Sequence, residues 1–184
     1  MTDARMLNIV DENGNVIGEE TRESIHRQGL LHKEIHVWFY TPRGGIIFQH
    51  RAKDKDTYPD LLDATVGGHV EIGEDYEKTA VKEIEEETGL KVERTQLAFM
   101  GMVKSRTHDK ATGTTNHALR AVYAYCHRGK LEDLKLEKGK GIGFKIVLID
   151  EVFAMPESKR KHFTPGVFKL ETIETFRKIK ELVK

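Results

Sequence analysis

The segment from Gly67 to Leu90, which reads GGHVEIGEDYEKTAVKEIEEETGL, constrains the fold more than any other part of the chain. Between Asp75 and Gly89 it contains no glycine or proline, so an α-helix can run without interruption. Aspartate is a favourable residue at the N-terminal cap, and glycine adopts the left-handed conformation that commonly ends a helix. The sequence therefore predicts one helix that begins just after Asp75 and ends at Thr88.

This helix is predicted to carry a buried apolar face and a cluster of acidic side chains. At about 100° per residue, the apolar arc is formed by Tyr76, Ala80, Val81, Ile84 and Thr88. Glu83, Glu86 and Glu87 have i, i+3, i+4 spacing and share one edge, and Glu87 projects into the apolar arc. Because clustered and partly buried carboxylates repel one another, we expect them to bind a hard divalent cation such as Mg²⁺ or Mn²⁺. The alternative is a solvated acidic helix without an ion.

The composition excludes several classes of protein. A chain of 184 residues suggests a single domain, and its 30 basic and 30 acidic side chains give no net charge, unlike a nucleic-acid-binding protein. The single cysteine, Cys126, excludes an internal disulfide. No apolar segment approaches the ~18 residues needed to span a bilayer, and no secretory signal is visible. We therefore expect a cytoplasmic protein with no membrane or nucleic-acid-polymer partner.

Apolar runs elsewhere predict a sheet around this helix. The N-terminal residues predict a β-hairpin across DENGN and a short helix from about Thr21 to Gln28, and residues 35–41 alternate as a strand does. Further strands are predicted at IIFQ, LAFMGMV, ALRAVYAYC and FKIVLI. The fold class is therefore α/β (α+β), with a mixed β-sheet sandwiched between α-helices. The single domain, 1–184, would have an N-terminal hairpin and helix extension over 1–30, a core over about 31–165 and a C-terminal helix over about 166–183.

The acidic segment resembles the Nudix box, GX5EX7REUXEEXGU, in which U is an aliphatic residue. Gly68, Glu74 and the run from Lys82 to Leu90 match it, except that Lys82 stands where the family has arginine. The resemblance implies a Nudix fold and metal-dependent hydrolysis of a diphosphate linkage, with Glu74 and Lys82 in supporting roles. The implied metal-binding and catalytic residues are Glu83, Glu86, Glu87 and, through its carbonyl, Gly67. Lysine supplies charge without the planar fork of arginine, so metal affinity or rate could be lower here.

A longer segment, from Leu30 to Glu74, resembles the isopentenyl-diphosphate isomerase branch of the same superfamily. The matching residues are Leu31-His32, Arg51, Lys55, Tyr58-Pro59 and Gly67-Gly68-His69. This resemblance implies that Arg51 and Lys55 bind the substrate diphosphate, a role that suits their charge. The alternative is that both are solvated loop charges.

Three histidines, His26, His32 and His69, lie near positions that hold a metal in the isomerases, although His26 is offset by one residue. A second metal site formed by these neutral imidazoles would suit Mn²⁺ or Zn²⁺. The alternative is that His69 is a hydrogen-bonded strand residue and that His26 lies on a helix surface.

The residues that carry the chemistry favour a hydrolase over an isomerase. Gly67 stands where the isomerases have a cysteine, and the segment TTNHALRAVYAY lacks their later glutamate. The prediction is a metal-dependent Nudix pyrophosphohydrolase that cleaves a nucleotide or another small-molecule organic diphosphate. The alternatives are an isopentenyl-diphosphate delta-isomerase and a non-catalytic nucleotide-sensing Nudix domain. A monomer and a homodimer are both compatible with the sequence.

Overall fold

A computed structural model describes residues 5–55 and 57–183. The strands in these ranges are β1 (Met6–Val10), β2 (Val16–Thr21), β3 (Leu31–Tyr40), β4 (Gly45–Arg51), β5 (Leu62–Asp63), β6 (Val66–His69), β7 (Leu97–Asp109), β8 (Thr114–Cys126) and β9 (Gly141–Leu148). The α-helices are α1 (Arg22–Gln28), α2 (Tyr76–Thr88), α3 (Ile149–Phe153), α4 (Glu157–Arg160) and α5 (Leu170–Leu182).

Strand β3 is the axis of the sheet. Along one edge it pairs in parallel with β8, from Leu31 opposite His117 to Tyr40 opposite Cys126. Along its other edge it pairs antiparallel with β1, β6 and β4 in turn. Strand β7 extends the sheet beyond β8, and β9 pairs with β4. Because β3 has both parallel and antiparallel neighbours, the sheet is mixed, as predicted.

Alternate side chains of β3 divide the core into two layers. Val37 and Phe39 face α2 and belong to the same buried cluster as Ile84 of that helix. Trp38 faces the opposite way and packs on Phe176 of α5, with the ring centroids 4.8 Å apart. The predicted arrangement of a sheet between helices is therefore confirmed.

Both predicted ends of helix α2 are confirmed. The Asp75 side chain accepts a hydrogen bond from the Lys78 amide at 2.6 Å, as an N-terminal cap does. Gly89 has a φ of 70°, and its N–H donates to the Glu85 carbonyl. With both ends fixed, the packing of α2 on the sheet decides which of its glutamates face inward.

The two termini carry the predicted elements with one shifted boundary. Strands β1 and β2 form the hairpin, and α1 is capped by the Thr21 hydroxyl and ends at Gly29, where φ is 67°. Near the C-terminus, Pro165–Phe168 forms a separate 3-10 turn, and α5 begins only at Leu170 because Lys169 is extended. Within the described ranges, no helix is long and apolar enough to cross a membrane.

Replacing Phe176 with alanine is expected to destabilise the fold without touching the acidic helix. The fully buried Phe176 side chain packs on Trp38 and Phe48, so truncation leaves a cavity and should lower the free energy of unfolding by about 3 kcal/mol or more. Urea unfolding measures the loss, and Glu174→Ala, at an exposed position of the same helix, serves as the control. Equal stability of the two variants would contradict the assignment of α5 to the core.

Candidate active site

The candidate active site begins where strand β6 meets helix α2. Gly68 lies opposite Ile35 in the pairing of β6 with β3, and it faces α2. A Cβ atom added to Gly68 would lie 2.6 Å from a carboxylate oxygen of Glu83, so a side chain at this position would displace the Glu83 carboxylate. The absence of a side chain at Gly68 therefore makes room for that carboxylate.

The three glutamates of the box differ in exposure. Glu87 is 3% exposed, as its projection into the apolar arc predicted, and Glu83 is also buried, at 6%. Glu86 is exposed on the same edge of the helix. The burial of Glu83 was not predicted, because the helical projection gives no information about the space above Gly68.

Burial has a direct electrostatic consequence for the two inner carboxylates. Desolvation raises the pKa of Glu83 to about 7; the charges of Glu87 and Glu86 act in the same direction, and the positive charge of Lys140 opposes it. Desolvation also raises the pKa of Glu87, against the opposing effects of Lys140 and a hydrogen bond from Gln49. Without a bound cation, the pair is therefore costly to ionise.

Glu87 is held by two donors that sequence reasoning missed. The Gln49 amide nitrogen donates to one carboxylate oxygen at 3.0 Å, and the Lys140 ammonium donates to the other at 3.1 Å. The only sequence signal at Lys140 is a lysine between two glycines, Gly139 and Gly141, which by itself indicates a turn.

Lys82 pairs with two carboxylates of the loop that precedes α2. Its ammonium lies 3.0 Å from Glu71 and 3.4 Å from Glu74, so it joins the helix to the loop that precedes it. Glu74 also accepts a hydrogen bond from the Thr79 hydroxyl at 3.0 Å. Lys82 and Glu74 therefore brace the entry to α2 and do not contact the glutamate trio through these bonds.

The two predicted phosphate-binding residues have different surroundings. The Arg51 guanidinium donates to the carbonyls of Thr57 and Tyr58 and to the Asp63 carboxylate, so it is engaged in holding the loop after β4. Burial lowers the pKa of Lys55, and the positive charges of Lys140 and Arg51 lower it further. The negative charge of Glu87 opposes this lowering of the Lys55 pKa.

The predicted histidines converge on one point, together with a glutamate that was not predicted. A potential ligand atom from each of four residues lies within 4.8 Å of the others; the residues are His26, His32, Glu34 and His69. The three imidazole ring centroids are 5.1 to 5.2 Å apart. The alternative, in which His26 lies on a helix surface, does not hold. His26 Nε2 lies 3.2 Å from His69 Nε2.

The protonation of this cluster suits a metal ion. Burial lowers the pKa of His69 to about 3, so its ring is neutral at physiological pH. His32 Nδ1 lies 3.1 Å from the Leu30 carbonyl and can donate to it, whereas the buried Nε2 makes no hydrogen bond within the described residues and lies 3.4 Å from Glu34 Oε1. Burial disfavours the charged form of Glu34, but Arg120, at 2.7 Å, together with the neighbouring His32 and His69 outweighs this effect and holds the pKa of Glu34 well below its usual value.

Comparison with known proteins gives a consistent family. A NUDIX domain profile matches residues 30–166. An uncharacterized Nudix hydrolase of Clostridium acetobutylicum is 29% identical over 156 residues, which cover 83% of this chain and 74% of that protein. An uncharacterized Nudix hydrolase of Yersinia pestis is 40% identical over 84 residues, a match that spans 46% of each protein.

Solved structures have the same fold at low sequence identity. The DR0079 protein of Deinococcus radiodurans is 18% identical with a TM-score of 0.71, over 95% of this chain and 98% of that one. The NUDIX domain of Shewanella oneidensis NrtR, solved in complex with ADP ribose, is 15% identical with a TM-score of 0.55, over 82% of this chain and 87% of that one.

Glu83→Gln is expected to change how stability depends on pH in buffer that contains a chelator. Because the pKa of Glu83 is raised from 4.5 to about 7, the folded chain binds more protons than the unfolded chain between these values. The free energy of unfolding of the original protein should therefore fall by roughly 1–3 kcal/mol as pH rises through that window. In Glu83→Gln this contribution to the fall should be absent. Urea unfolding at about pH 5 and pH 8 measures it.

The control for this experiment is Glu85→Gln, which removes an exposed glutamate from the same helix. It should retain the pH dependence of the original protein. An unchanged pH dependence in Glu83→Gln would contradict the burial of that carboxyl group in its ionisable form.

Proposed function

We propose that this chain, which belongs to the NUDIX domain family and is a Nudix hydrolase, is a metal-dependent pyrophosphohydrolase. Its substrate would be a nucleotide or another organic diphosphate. The observation that carries the proposal is that Glu83, Glu86 and Glu87 share one edge of α2, with the Glu83 carboxylate beside Gly68.

The donor set fits a hard divalent ion. Two buried carboxylates with raised pKa values and one exposed carboxylate lie along a single helix edge, and the Gly67 carbonyl would add a further oxygen. Mg²⁺ and Mn²⁺ prefer such oxygen ligands. When bound, the ion would neutralise charge on the diphosphate and make water a better nucleophile.

The protein's own groups would orient the substrate and accept a proton. Glu86 is the exposed member of the trio, so water can reach its carboxylate, and we assign it as the base that receives the proton of the attacking water. Lys55 would bind the diphosphate through its ammonium. Arg51, whose donors are engaged with the loop, would support Lys55 by holding that loop in place.

Two alternatives remain distinct from this proposal. The isomerase-like residues Leu31-His32, Arg51 and Lys55 support a place in that branch of the superfamily, but Gly67 lacks the thiol that its proton-transfer chemistry needs. A non-catalytic sensor is the second alternative, and the NrtR domain solved with ADP ribose makes that ligand worth testing for both binding and hydrolysis.

Glu86→Gln is expected to lower the rate of hydrolysis by at least about a hundredfold, because it removes the proposed base. The exposed position of Glu86 should leave folding intact, and Glu85→Gln, also exposed, should retain activity. The assay is release of phosphate or pyrophosphate from nucleotides, ADP-ribose and isoprenoid diphosphates with Mg²⁺ or Mn²⁺.

Three outcomes of that assay would count against the proposal. No turnover despite metal binding would favour the sensor. An isomerised product without phosphate release would favour the isomerase. Equal activity of Glu86→Gln and Glu85→Gln would reject Glu86 as the base.

We also propose that the histidine cluster holds a second metal ion, Zn²⁺ or Mn²⁺, with Glu34 as the fourth ligand. Its support is the convergence of four potential ligand atoms and the buried Nε2 of His32, which makes no hydrogen bond in the part of the chain that the structure describes and lies 3.4 Å from Glu34 Oε1. Three imidazoles and one carboxylate are typical ligands for these ions. Because His26 belongs to α1 and the other members to β3 and β6, the ion would fasten the N-terminal helix to the sheet.

His32→Ala is expected to remove this ion, because it deletes the innermost ligand. The purified protein should retain close to one equivalent of Zn²⁺ or Mn²⁺ after dialysis, and the variant should retain much less, as measured by elemental analysis. A chelator should lower the melting temperature of the original protein more than that of the variant. His162→Ala, at an exposed position, is the control, and equal metal content in all three proteins would contradict the site.

A further inference from the structure

The segment that carries Lys140 is a tight turn fixed to the sheet. Gly139 has a φ of +83°, and the Lys140 amide donates to the Glu137 carbonyl at 3.1 Å. The Lys140 carbonyl accepts from the Ala52 amide at 3.3 Å, which joins the turn to the loop after β4. Gly141 is pressed against that strand, since a Cβ there would lie 2.7 Å from the His50 carbonyl oxygen. These contacts therefore hold the backbone of Lys140, between its two neighbouring glycines, in a fixed position.

From this turn, the Lys140 side chain reaches the deepest carboxylate of the box. Its ammonium lies 3.1 Å from Glu87 Oε1 and 3.7 Å from Glu137. Gln49 donates to Glu87 Oε2 at 3.0 Å, so both oxygens of Glu87 already have a protein donor. A divalent ion that binds Glu87 must therefore share an oxygen with one of these two donors and lie close to it.

The two donors differ in how readily they can yield. Gln49 is 6% exposed, lies on β4 and also donates to the Thr65 carbonyl at 3.2 Å. The Lys140 side chain is 33% exposed, and a lysine ammonium is carried on a four-carbon stem that rotates readily. It also carries a full positive charge, which repels an incoming cation, whereas the amide of Gln49 does not. Lys140 is therefore the donor that a divalent ion would displace.

We propose that Lys140 is an exchangeable counter-ion of the acidic site. In the metal-free protein its ammonium holds and partly neutralises Glu87. When a divalent ion takes over that carboxylate, the ammonium moves to the diphosphate of the substrate and binds one of its oxygens beside Lys55. The second half of this exchange rests on the proposed function, whereas the first half requires only that the glutamates bind an ion.

Isothermal titration calorimetry with Mg²⁺ alone tests the first half. Mg²⁺ is chosen because it prefers oxygen ligands and binds poorly to an imidazole cluster. Lys140→Gln keeps a donor for Glu87 but removes the competing charge, so Mg²⁺ should bind about fivefold more tightly or better. Lys140→Arg keeps the charge and should bind Mg²⁺ as the original protein does. Lys138→Gln, two residues away and exposed, should change nothing.

Imidodiphosphate, which resists hydrolysis, tests the second half when it is titrated in saturating Mg²⁺. Lys140→Gln should bind it about fivefold more weakly or worse, and Lys140→Arg should recover most of the affinity. Unchanged or weaker Mg²⁺ binding in Lys140→Gln would overturn the counter-ion role. Tighter Mg²⁺ binding with unchanged imidodiphosphate affinity would refute the transfer to substrate. Neither titration needs turnover, so a failure of the hydrolase proposal would be recognised separately.

Discussion

The placement of the Glu83 carboxylate directly over the backbone of Gly68 is the contact on which the acidic site depends. The absence of a side chain at Gly68 of β6 leaves room for this carboxylate between the strand and α2. The placement also buries one carboxylate beside another, that of Glu87, and burial makes both costly to ionise. Gln49 and Lys140 donate hydrogen bonds to the Glu87 carboxylate and thereby offset part of that cost.

Strand β6 separates two candidate metal centres. Gly68 faces α2 and the glutamates, while the next residue, His69, points to the opposite face, because successive side chains of a strand alternate. There it lies opposite Glu34 of β3 and beside the other histidines. The two sites use different ligands, oxygen-rich on one face and imidazole-rich on the other, so they suit different ions. One short strand thereby adjoins both sets of ligands.

Much of the fold and part of the site could be predicted because the relevant information is local. The caps at Asp75 and Gly89, the two-sided alternation of β3 and the spacing of the glutamate trio each depend on residues within one element. The burial of Glu83 could not be predicted, since it depends on the space above Gly68. The pairing of Lys82 with Glu71 was missed because a helical projection contains no information about the preceding loop.

The sequence by itself determined the family, the mixed sheet between helices and the three carboxylates that share one helix edge. Only the tertiary structure decided which groups meet those carboxylates and the histidines. Lys140 reaches Glu87 across 53 positions of the chain, and Glu34 joins His69 through pairing of β3 with β6. Such contacts depend on strand order and register, which follow from the burial of the whole sheet and not from any local spacing.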